Sequence, residues 1–286
     1  MRLRLHFLGV LVVGLGCATG RNYSDPEWPR FAGQGGNQQP ARDTLRVVTF
    51  NVKFSEHVDR AIDLLRTEPH LCDADLVALQ EMDEGAAQRI AAALGLNYVY
   101  YPATVHPHHG RNFGDALLSR WPIEEDRKVV LPYLGRFRRT QRIAVGGSIR
   151  IRGERVRVYS VHLETLLEMG PSHRRAQVEA LLAAAGSGSG RVIIAGDMNG
   201  KGVGSVFLQN GYTWPTKDLG GTCWRFGWDH IFVRGFRLRD AGSAGVVREN
   251  RGASDHKPVW VVLVPDPRLS PASGLGDAAD GRRGGT

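Results

Sequence analysis

The chain has 286 residues, of which 42% are hydrophobic and 23% are charged. This composition supports a sizeable buried core and excludes both a disordered chain and a collagen-like one. With 37 basic and 29 acidic residues, the net charge of +8 suits an anionic partner such as nucleic acid, a phospholipid headgroup or a phosphorylated metabolite. Three cysteines are too few for a disulfide scaffold or a four-cysteine zinc site, so a catalytic metal would need oxygen and imidazole ligands.

The first 17 residues have the pattern of an export signal. Arg2 and Arg4 precede an apolar run, 7–16, that is too short to cross a bilayer, which takes about 20 residues. Cys17 follows this run behind small residues, an arrangement similar to a bacterial lipoprotein cleavage site. We therefore predict export, either as a lipoprotein tethered to a membrane through Cys17 or, after ordinary cleavage near Ala18, as a secreted or periplasmic protein.

Composition also divides the rest of the chain. Residues 18–43 are rich in Gly, Gln, Asn and Pro without apolar periodicity, which is typical of a flexible linker. Residues 265–286 have no core-forming pattern and indicate a disordered tail. The folded domain is predicted over residues 44–264, and we expect it to be a monomer.

Within this domain, short apolar runs bounded by turn residues predict strands. In chain order they are 45–50, 76–79, 98–101, 116–118, 143–151, 156–163, 192–195, 231–233 and 259–264. Three segments between them predict helices: 58–65 and 87–94 by apolar spacing, and 177–185 by its Ala and Leu content, with Ser172 as a candidate cap. Because the middle strands are punctuated by glycines rather than helices, we expect antiparallel hairpins, a mixed sheet and an α/β sandwich.

Polar and ionisable side chains stand where these strands end or begin. They are Asn51, Gln80, Glu81, His162, Asp197, Asn199, Asp229, His230, Asp255 and His256. Taken singly, each also fits a structural role as a turn amide, a helix-start carboxylate or a buried histidine. Together they lie at strand ends, where mixed α/β folds place their ligand crevice, and this favours a functional site.

The set has the chemistry needed to cleave a phosphate ester, which takes a hard cation, an oriented water and donors that offset developing negative charge. Glu81 offers a carboxylate for Mg²⁺ or Mn²⁺, with the amide oxygen of Asn51 as a helper. Asp197 and Asn199, two apart on a segment predicted to be extended, would point to the same side and hold the attacking water.

The two histidines of the set add proton chemistry. His162 and His256 can each donate to non-bridging phosphate oxygens or transfer a proton. Asp229 is placed to fix the tautomer of one of them.

Six motifs in this order resemble those of the endonuclease/exonuclease/phosphatase superfamily, the deoxyribonuclease I-like fold. They are Thr49-Phe50-Asn51, Gln80-Glu81, Val161-His162-Leu163, Gly196-Asp197-Met198-Asn199, Asp229-His230-Ile231-Phe232 and Ser254-Asp255-His256-Lys257-Pro258. The resemblance covers roughly residues 45–264. It implies a four-layer α/β sandwich, with two packed mixed sheets flanked by helices, and a divalent-metal-dependent phosphoesterase activity.

The resemblance also implies a metal site. Glu81 matches the principal metal carboxylate, Asn51 its companion, and Asp255 a carboxylate near a metal position. Lys53 stands where some nucleases of the superfamily have a carboxylate, which puts a second metal there in doubt. Asp115 stands where many members have Asn and adds a negative charge near the phosphate.

The catalytic roles that the resemblance implies fall on five residues. Asp197 and Asn199 match the pair at the scissile phosphate, and His162 matches a phosphate-facing histidine. His256 matches the catalytic histidine and Asp229 the carboxylate that supports it. Which of these groups is the base stays open at this point.

Three functions remain open on the sequence alone. A nuclease or other phosphodiesterase acting on a nucleic-acid backbone is favoured by the basic cluster Arg136, Arg138, Arg139 and Arg142, although a solvated face explains these arginines nearly as well. An exported phosphodiesterase or phosphatase for phospholipid or inositol-phosphate headgroups fits a tether through Cys17. A binding module without chemistry would lack principal motif residues, and none is lacking.

Two further features have alternative interpretations. The aromatic residues near Asp229 form either a substrate-side wall or core: Trp214, Trp224, Phe226 and Trp228. Cys72 and Cys223 either pair, if their Cα atoms lie within about 7 Å, or remain free thiols.

Overall fold

The computed structural model describes residues 20–35, 42–107, 109–188 and 190–269. In these residues it has four α-helices: α1 (Val58–Thr67), α2 (Glu84–Leu94), α3 (Pro171–Ala185) and α4 (Gly204–Gln209). The strands are β1 (Arg21–Asn22), β2 (Phe31–Gly33), β3 (Leu45–Asn51), β4 (Leu76–Met82), β5 (Asn97–Val105), β6 (Asn112–Ser119), β7 (Glu124–Val130), β8 (Ile143–Ile151), β9 (Glu154–His162), β10 (Arg191–Asp197), β11 (Asp229–Arg234), β12 (Phe236–Leu238), β13 (Ala244–Val246) and β14 (Val259–Pro265). Short 3-10 helices span Lys53–Ser55, Lys201–Val203 and Pro267–Leu269.

The strands form two mixed sheets. The nine-stranded sheet has the order β1-β5-β6-β4-β3-β14-β12, with β2 also on β5 and β13 on β14. The five-stranded sheet has the order β11-β10-β9-β8-β7. β3 and β4 are parallel, as are β9 and β10, and the remaining pairs are antiparallel. The mixed sheets and the predicted β8–β9 hairpin are therefore confirmed.

Three apolar clusters hold the layers together. One lies between the two sheets and includes Val47, Leu117 and Val158. A second packs α1 and α2 on the outer face of the nine-stranded sheet. A third packs α3 and α4 on the outer face of the five-stranded sheet. The order helix, sheet, sheet, helix confirms the predicted four-layer sandwich.

The central strands read as continuous apolar runs because both of their faces are covered. In β3, Leu45 and Val47 face the cluster between the sheets, whereas Val48 and Phe50 face the helices. Successive side chains of a strand point to opposite faces, so one apolar run supplies two cores.

The first described segment differs from its predicted role as a flexible linker. β1 and β2 both pair with β5, and the Gly20 amide donates to the Arg138 carbonyl at 3.0 Å. The linker prediction is wrong for residues 20–35 because backbone bonds hold these short edge strands, which need no apolar periodicity. Residues 18–19 and 36–41 lie outside the described residues.

The structure describes only part of the predicted terminal segments. The export signal, residues 1–17, and residues 270–286 of the expected tail lie outside the described residues. The disordered-tail prediction is wrong for residues 265–269, because β14 ends at Pro265, the Asp266 amide donates to the Gly235 carbonyl at 3.0 Å and Pro267–Leu269 form a 3-10 helix.

Ser172 is not the cap of α3: Gly170 is the N-cap and Pro171 the first helical residue. Among the described residues, no helix is long and apolar enough to span a membrane. Cys72 and Cys223 are free thiols.

Candidate active site

The strand ends bring the predicted polar residues together at one edge of both sheets. β3 ends at Asn51, β9 at His162 and β10 at Asp197, while β11 begins at Asp229. In the five-stranded sheet, Asp197 is the register partner of His162 on one side and of Asp229 on the other. Three ionisable residues therefore form one row across three neighbouring strands.

Asn51 joins this row to the other sheet. Its Nδ2 donates to Glu81 Oε1 at 3.0 Å and to Asp197 Oδ2 at 3.1 Å. Its Oδ1 accepts from the Lys53 amide at 3.0 Å. Asn51 thus orients two carboxylates, and in the structure its amide nitrogen, rather than the oxygen expected as a metal helper, faces Glu81.

Glu81 lies at an irregularity in β4. The register with β6 shifts between Leu79 and Met82, and Glu81 has a φ of 60°. A bulge of this kind re-aims a side chain next to a site. Glu81 Oε2 accepts from the Phe54 amide at 3.2 Å. Burial raises the pKa of Glu81 above its ordinary value, and Asp255 adds to this while the bond from Asn51 opposes it.

Asp229 and His256 form a buried dyad. His256 Nδ1 lies 2.8 Å from Asp229 Oδ2, and His256 Nε2 lies 3.8 Å from Asp197 Oδ2. Burial disfavours the imidazolium, but the carboxylates of Asp229 and Asp197 outweigh it and raise the pKa of His256 well above its ordinary value. Burial and the Asp229 charge raise the pKa of Asp197 to about 6. His256 is therefore the cationic histidine of the site.

His162 is in the opposite protonation state. Its Nε2 lies 3.5 Å from Asp197 Oδ2, while Arg142 Nη1 lies 3.0 Å from its Nδ1 and 3.2 Å from its Nε2. Burial, then the charges of Arg142 and His256, lower the pKa of His162 well below its ordinary value. Asp197 therefore faces one neutral and one charged histidine.

Arg142 and Glu164 contact the site, although the motifs did not include them. Arg142 was grouped with three surface arginines, but it is nearly buried and donates to Glu164 Oε1 at 2.9 Å. Glu164 is 1% exposed and also accepts from the Thr165 amide. The available signal was a carboxylate two residues after His162 and an arginine directly before β8.

We expect Glu164→Ala to destabilise the fold by about 3–5 kcal/mol, because it leaves the Arg142 charge buried without its partner. Urea unfolding followed by circular dichroism measures this change. Glu179→Ala, which removes an exposed carboxylate on α3, is the matched control and should change the unfolding midpoint little. An equal, small effect of both substitutions would show that Arg142 is not held by Glu164.

Asn199 and Asp255 lie at the edge of this cluster. The Asn199 amide donates to Asp197 Oδ1 at 2.8 Å, and its side-chain Nδ2 donates to the Leu163 carbonyl at 2.9 Å. The extended segment predicted through Asn199 is wrong, because β10 ends at Asp197 and Asn199 has a φ of 47°. Asp255 is exposed and accepts from Ser254 Oγ at 3.3 Å.

His230 is a buried neighbour of the site rather than a member of it. Its Nε2 lies 3.1 Å from the Gly227 carbonyl oxygen, and its ring packs edge-on against Trp214. Burial lowers the pKa of His230 to about 4. Trp214 itself packs against Phe232 and belongs to the core.

This pKa predicts a pH dependence of stability. Below pH 6.5 the unfolded chain protonates His230 while the folded chain keeps it neutral until about pH 4. The unfolded state then binds more protons, so the His230 contribution to the unfolding free energy falls by roughly 2–3 kcal/mol between these pH values. Thermal midpoints of the wild type and His230→Phe test this, because the variant should lose less stability on acidification. Parallel losses would contradict it.

The geometry agrees with a sequence comparison. The profile of the Endonuclease/Exonuclease/phosphatase family matches residues 48–256, which include every residue of the site. The chain belongs to this family. Members of the endonuclease/exonuclease/phosphatase family are divalent-metal-dependent hydrolases of phosphate esters. No curated protein matches the chain.

Solved structures of the endonuclease/exonuclease/phosphatase family share the fold. A family protein from Beutenbergia cavernae DSM 12333 has a TM-score of 0.65 at 19% identity, over 78% of this chain and 72% of that one. D. rerio TDP2 complexed with single strand DNA product has a TM-score of 0.62 at 16% identity, over 78% and 99%. The human Nocturnin catalytic domain with bound sulfate anion has a TM-score of 0.61 at 18% identity, over 80% and 97%.

The site fits the divalent cation that the endonuclease/exonuclease/phosphatase family uses. Asp115 Oδ2 and Asp229 Oδ1 are buried carboxylate oxygens with no hydrogen-bond partner among the described residues. Burial, Asp197 and Glu81 hold the pKa of Asp115 well above its ordinary value. Crowded carboxylates of this kind suit a hard cation. Asp197 and Asp229 also bring carboxylate oxygens within 4.8 Å of one another.

Aromatic side chains flank the site on two sides. On one, Phe113 lies 6.0 Å from the His162 ring and 5.5 Å from Phe54, measured between ring centroids. On the other, Trp228 lies 5.9 Å from the His256 ring and stacks on Phe226. Of the alternatives left open for these aromatic residues, Phe226 and Trp228 therefore form a wall.

Proposed function

We propose that this chain is a divalent-metal-dependent phosphodiesterase. The observation that carries the proposal is the position of Asp197, which faces the charged His256 and the neutral His162 and is tied through Asn51 to Glu81. A carboxylate between two histidines, beside a second carboxylate for a cation, suits attack by water on a phosphate.

The metal would be held mainly by Glu81, with Asp255 at the rim and Mg²⁺ or Mn²⁺ as the ion. When bound, it supplies charge that polarises the phosphoryl group. Glu81 is kept in place for this by Asn51 and by the Phe54 amide. The excess of carboxylates over cationic side chains makes the site dependent on that ion.

Two residues of the chain then act on protons, Asp197 as an acceptor and His256 as a donor. Asp197, with a pKa of about 6, is largely ionised at neutral pH and accepts the proton of the attacking water. His256, kept cationic by Asp229, donates to a phosphoryl oxygen as negative charge develops there. The bond from the water oxygen to phosphorus forms, the bond to the leaving oxygen breaks, and solvent protonates that oxygen.

Two diesters are candidate substrates. A nucleic-acid backbone fits the exposed arginines Arg136, Arg138 and Arg139, and D. rerio TDP2 provides a structural neighbour solved with a DNA product. A phospholipid headgroup fits the same arginines together with the exposed apolar side chains beside them. We also propose that the protein is exported. Either a lipid is attached at Cys17, or the signal is cleaved without lipid attachment.

A substrate panel tests the proposed function. The purified chain would be incubated with Mg²⁺ or Mn²⁺ and plasmid DNA, RNA, sphingomyelin, phosphoinositides, a chromogenic diester and the matching monoester. We expect the diesters to be cleaved faster than the monoester. Cleavage of the monoester alone, or of nothing in the panel, would contradict a phosphodiesterase, and the latter would favour a binding module.

A further inference from the structure

The loops at the active-site end of the sheets carry most of the exposed apolar side chains. Of eight large hydrophobic side chains exposed in the described residues, six lie in loops 131–142, 163–170 and 220–228. They are Tyr133, Phe137, Leu166, Leu167, Trp224 and Phe226. The other two are Trp28 and Leu208. Because exposed apolar side chains are usually scattered singly, this concentration indicates an interaction surface.

Hydrogen bonds join two of these loops into one surface. The Arg136 amide donates to the Glu168 carbonyl at 2.9 Å, and the Phe137 amide donates to Glu168 Oε2 at 2.7 Å. Phe137 and Leu167, exposed by 55% and 86%, therefore stand on loops that hold each other in place. We call residues 133–139 and 166–168 the rim surface.

The rim surface is also basic. Arg136, Arg138 and Arg139 are exposed, and in the part of the chain that the structure describes none of them forms an ion pair. The one carboxylate of the rim surface, Glu168, accepts from the Phe137 amide. The Arg136 guanidinium lies 5.3 Å from the centre of the Phe137 ring. Arginines beside exposed aliphatic and aromatic side chains match an anionic bilayer, which offers phosphates at its surface and an apolar layer beneath them.

This combination favours a bilayer over other partners. A nucleic acid would engage the three arginines but leave Leu166 and Leu167 in water, since it stacks on aromatic and guanidinium groups. A second copy of the chain would bring three like charges opposite three others. Of these three partners, an anionic lipid surface is the one complementary to both the charge and the aliphatic side chains.

The chain enters the fold at the same surface. The Gly20 amide donates to the Arg138 carbonyl, and Asn22 Nδ2 donates to the Arg139 carbonyl at 2.8 Å. Cys17 is three residues before Gly20, and an extended residue spans at most about 3.5 Å. A lipid on Cys17 would therefore start within about 10 Å of the rim surface.

We propose that the rim surface docks on an anionic lipid bilayer and presents the Asp197 site to phospholipid headgroups. A phospholipid as the substrate rests on the proposed phosphodiesterase function. The docking itself does not, because it is measured without turnover.

The test reads the environment of one rim residue in the full-length chain. Leu167→Cys, in a chain with Cys17→Ser and Cys72→Ser, would carry an environment-sensitive NBD fluorophore. We expect its emission to rise and shift to the blue with vesicles that contain about one third phosphatidylglycerol, and not with phosphatidylcholine alone. Replacing the three arginines by Gln should weaken this response roughly a hundredfold, since each basic residue near an anionic surface contributes about fivefold.

Leu208→Cys in the same background is the matched control. Leu208 is an exposed leucine on α4, and its label should not respond to vesicles. Both labelled chains carry the N-terminal apolar run, so its own affinity for lipid cannot produce a difference between them. Arg66→Gln, on the exposed face of α1, removes one arginine charge away from the rim surface and should weaken the response by much less than fivefold.

Four outcomes would overturn the proposal. The first two are no response of the label at position 167 and equal responses at positions 167 and 208. The third is a response when a single-stranded oligonucleotide replaces the vesicles, and the fourth is a response when the unlabelled chain is added without vesicles. The third assigns the surface to nucleic acid and the fourth to self-association. Unchanged thermal midpoints of the labelled chains exclude unfolding as a cause. If the chain docks on vesicles but hydrolyses no phosphate ester, the docking proposal is supported and only the proposed phosphodiesterase function is refuted.

Discussion

Replacing His256 by Ala is expected to lower kcat by about 10²–10⁴. It should also lower the thermal midpoint, because it leaves the buried Asp229 carboxylate without its partner. The imidazolium is held by Asp229 at 2.8 Å and is the group placed to offset charge on the phosphate. Its loss removes a donor from a buried site, where such a donor acts most strongly. Steady-state rates on a soluble diester and thermal midpoints measure the two effects separately.

A double substitution shows whether Asp229 acts through His256. Asp229→Asn alone should lower the rate, but Asp229→Asn combined with His256→Ala should be close to His256→Ala, because a positioning residue has nothing left to position. His57→Ala, an exposed histidine at the start of α1, is the matched control. Additive losses, or full activity in His256→Ala, would show that the dyad is structural.

Removing the metal is expected to abolish turnover. The chain has no sulphur-rich site, and its buried carboxylates lack enough cationic partners to work without an added ion. Glu81→Gln keeps the shape of the side chain but removes its charge, so the Mg²⁺ concentration for half-maximal rate should rise at least about tenfold. Rates measured across a Mg²⁺ titration give this value.

Glu56→Gln is the control for this titration. Glu56 is an exposed carboxylate near the same loop and pairs with Lys53 at 3.2 Å. Its replacement should leave the Mg²⁺ dependence unchanged. Full activity of the wild type in excess chelator, or equal shifts in Glu81→Gln and Glu56→Gln, would contradict Glu81 as the main ligand.

The central strands were predictable because they are apolar on both faces. β8 was predicted with its observed bounds, and the other eight predicted strands were found with their ends shifted. β4 extends past its predicted end because Gln80 is buried there and donates to Ser160 Oγ at 3.0 Å, a bond between the two sheets that no apolar pattern shows.

The edges of the sheets could not be predicted in the same way. β7 is a charged edge strand, Glu124–Val130, with no apolar alternation. β1 and β2 lie in a segment without apolar periodicity, and their place depends on backbone bonds to β5 that only the folded structure defines. Local pattern is weak at sheet edges because one face or side remains in water.

For the site, sequence order predicted which residues meet but not how their atoms face one another. The pairing of Asp229 with His256, which the resemblance implied, is present in the structure at 2.8 Å. The orientation of the Asn51 amide and the burial of Arg142 against His162 depend on contacts between strands that are distant in sequence. Glu164 was missed because it directly follows the motif Val161-His162-Leu163 and is not part of it.

The most direct measurement compares the wild type with Asp197→Asn on a soluble phosphodiester in saturating Mg²⁺. Asp197 contacts Asn51, His162 and His256. Its replacement by a near-isosteric amide removes the proton acceptor without emptying its space. The account predicts turnover by the wild type that falls by about 10²–10⁴ in Asp197→Asn, with both proteins folded. Equal rates for the two proteins, or no turnover by the wild type, would contradict it.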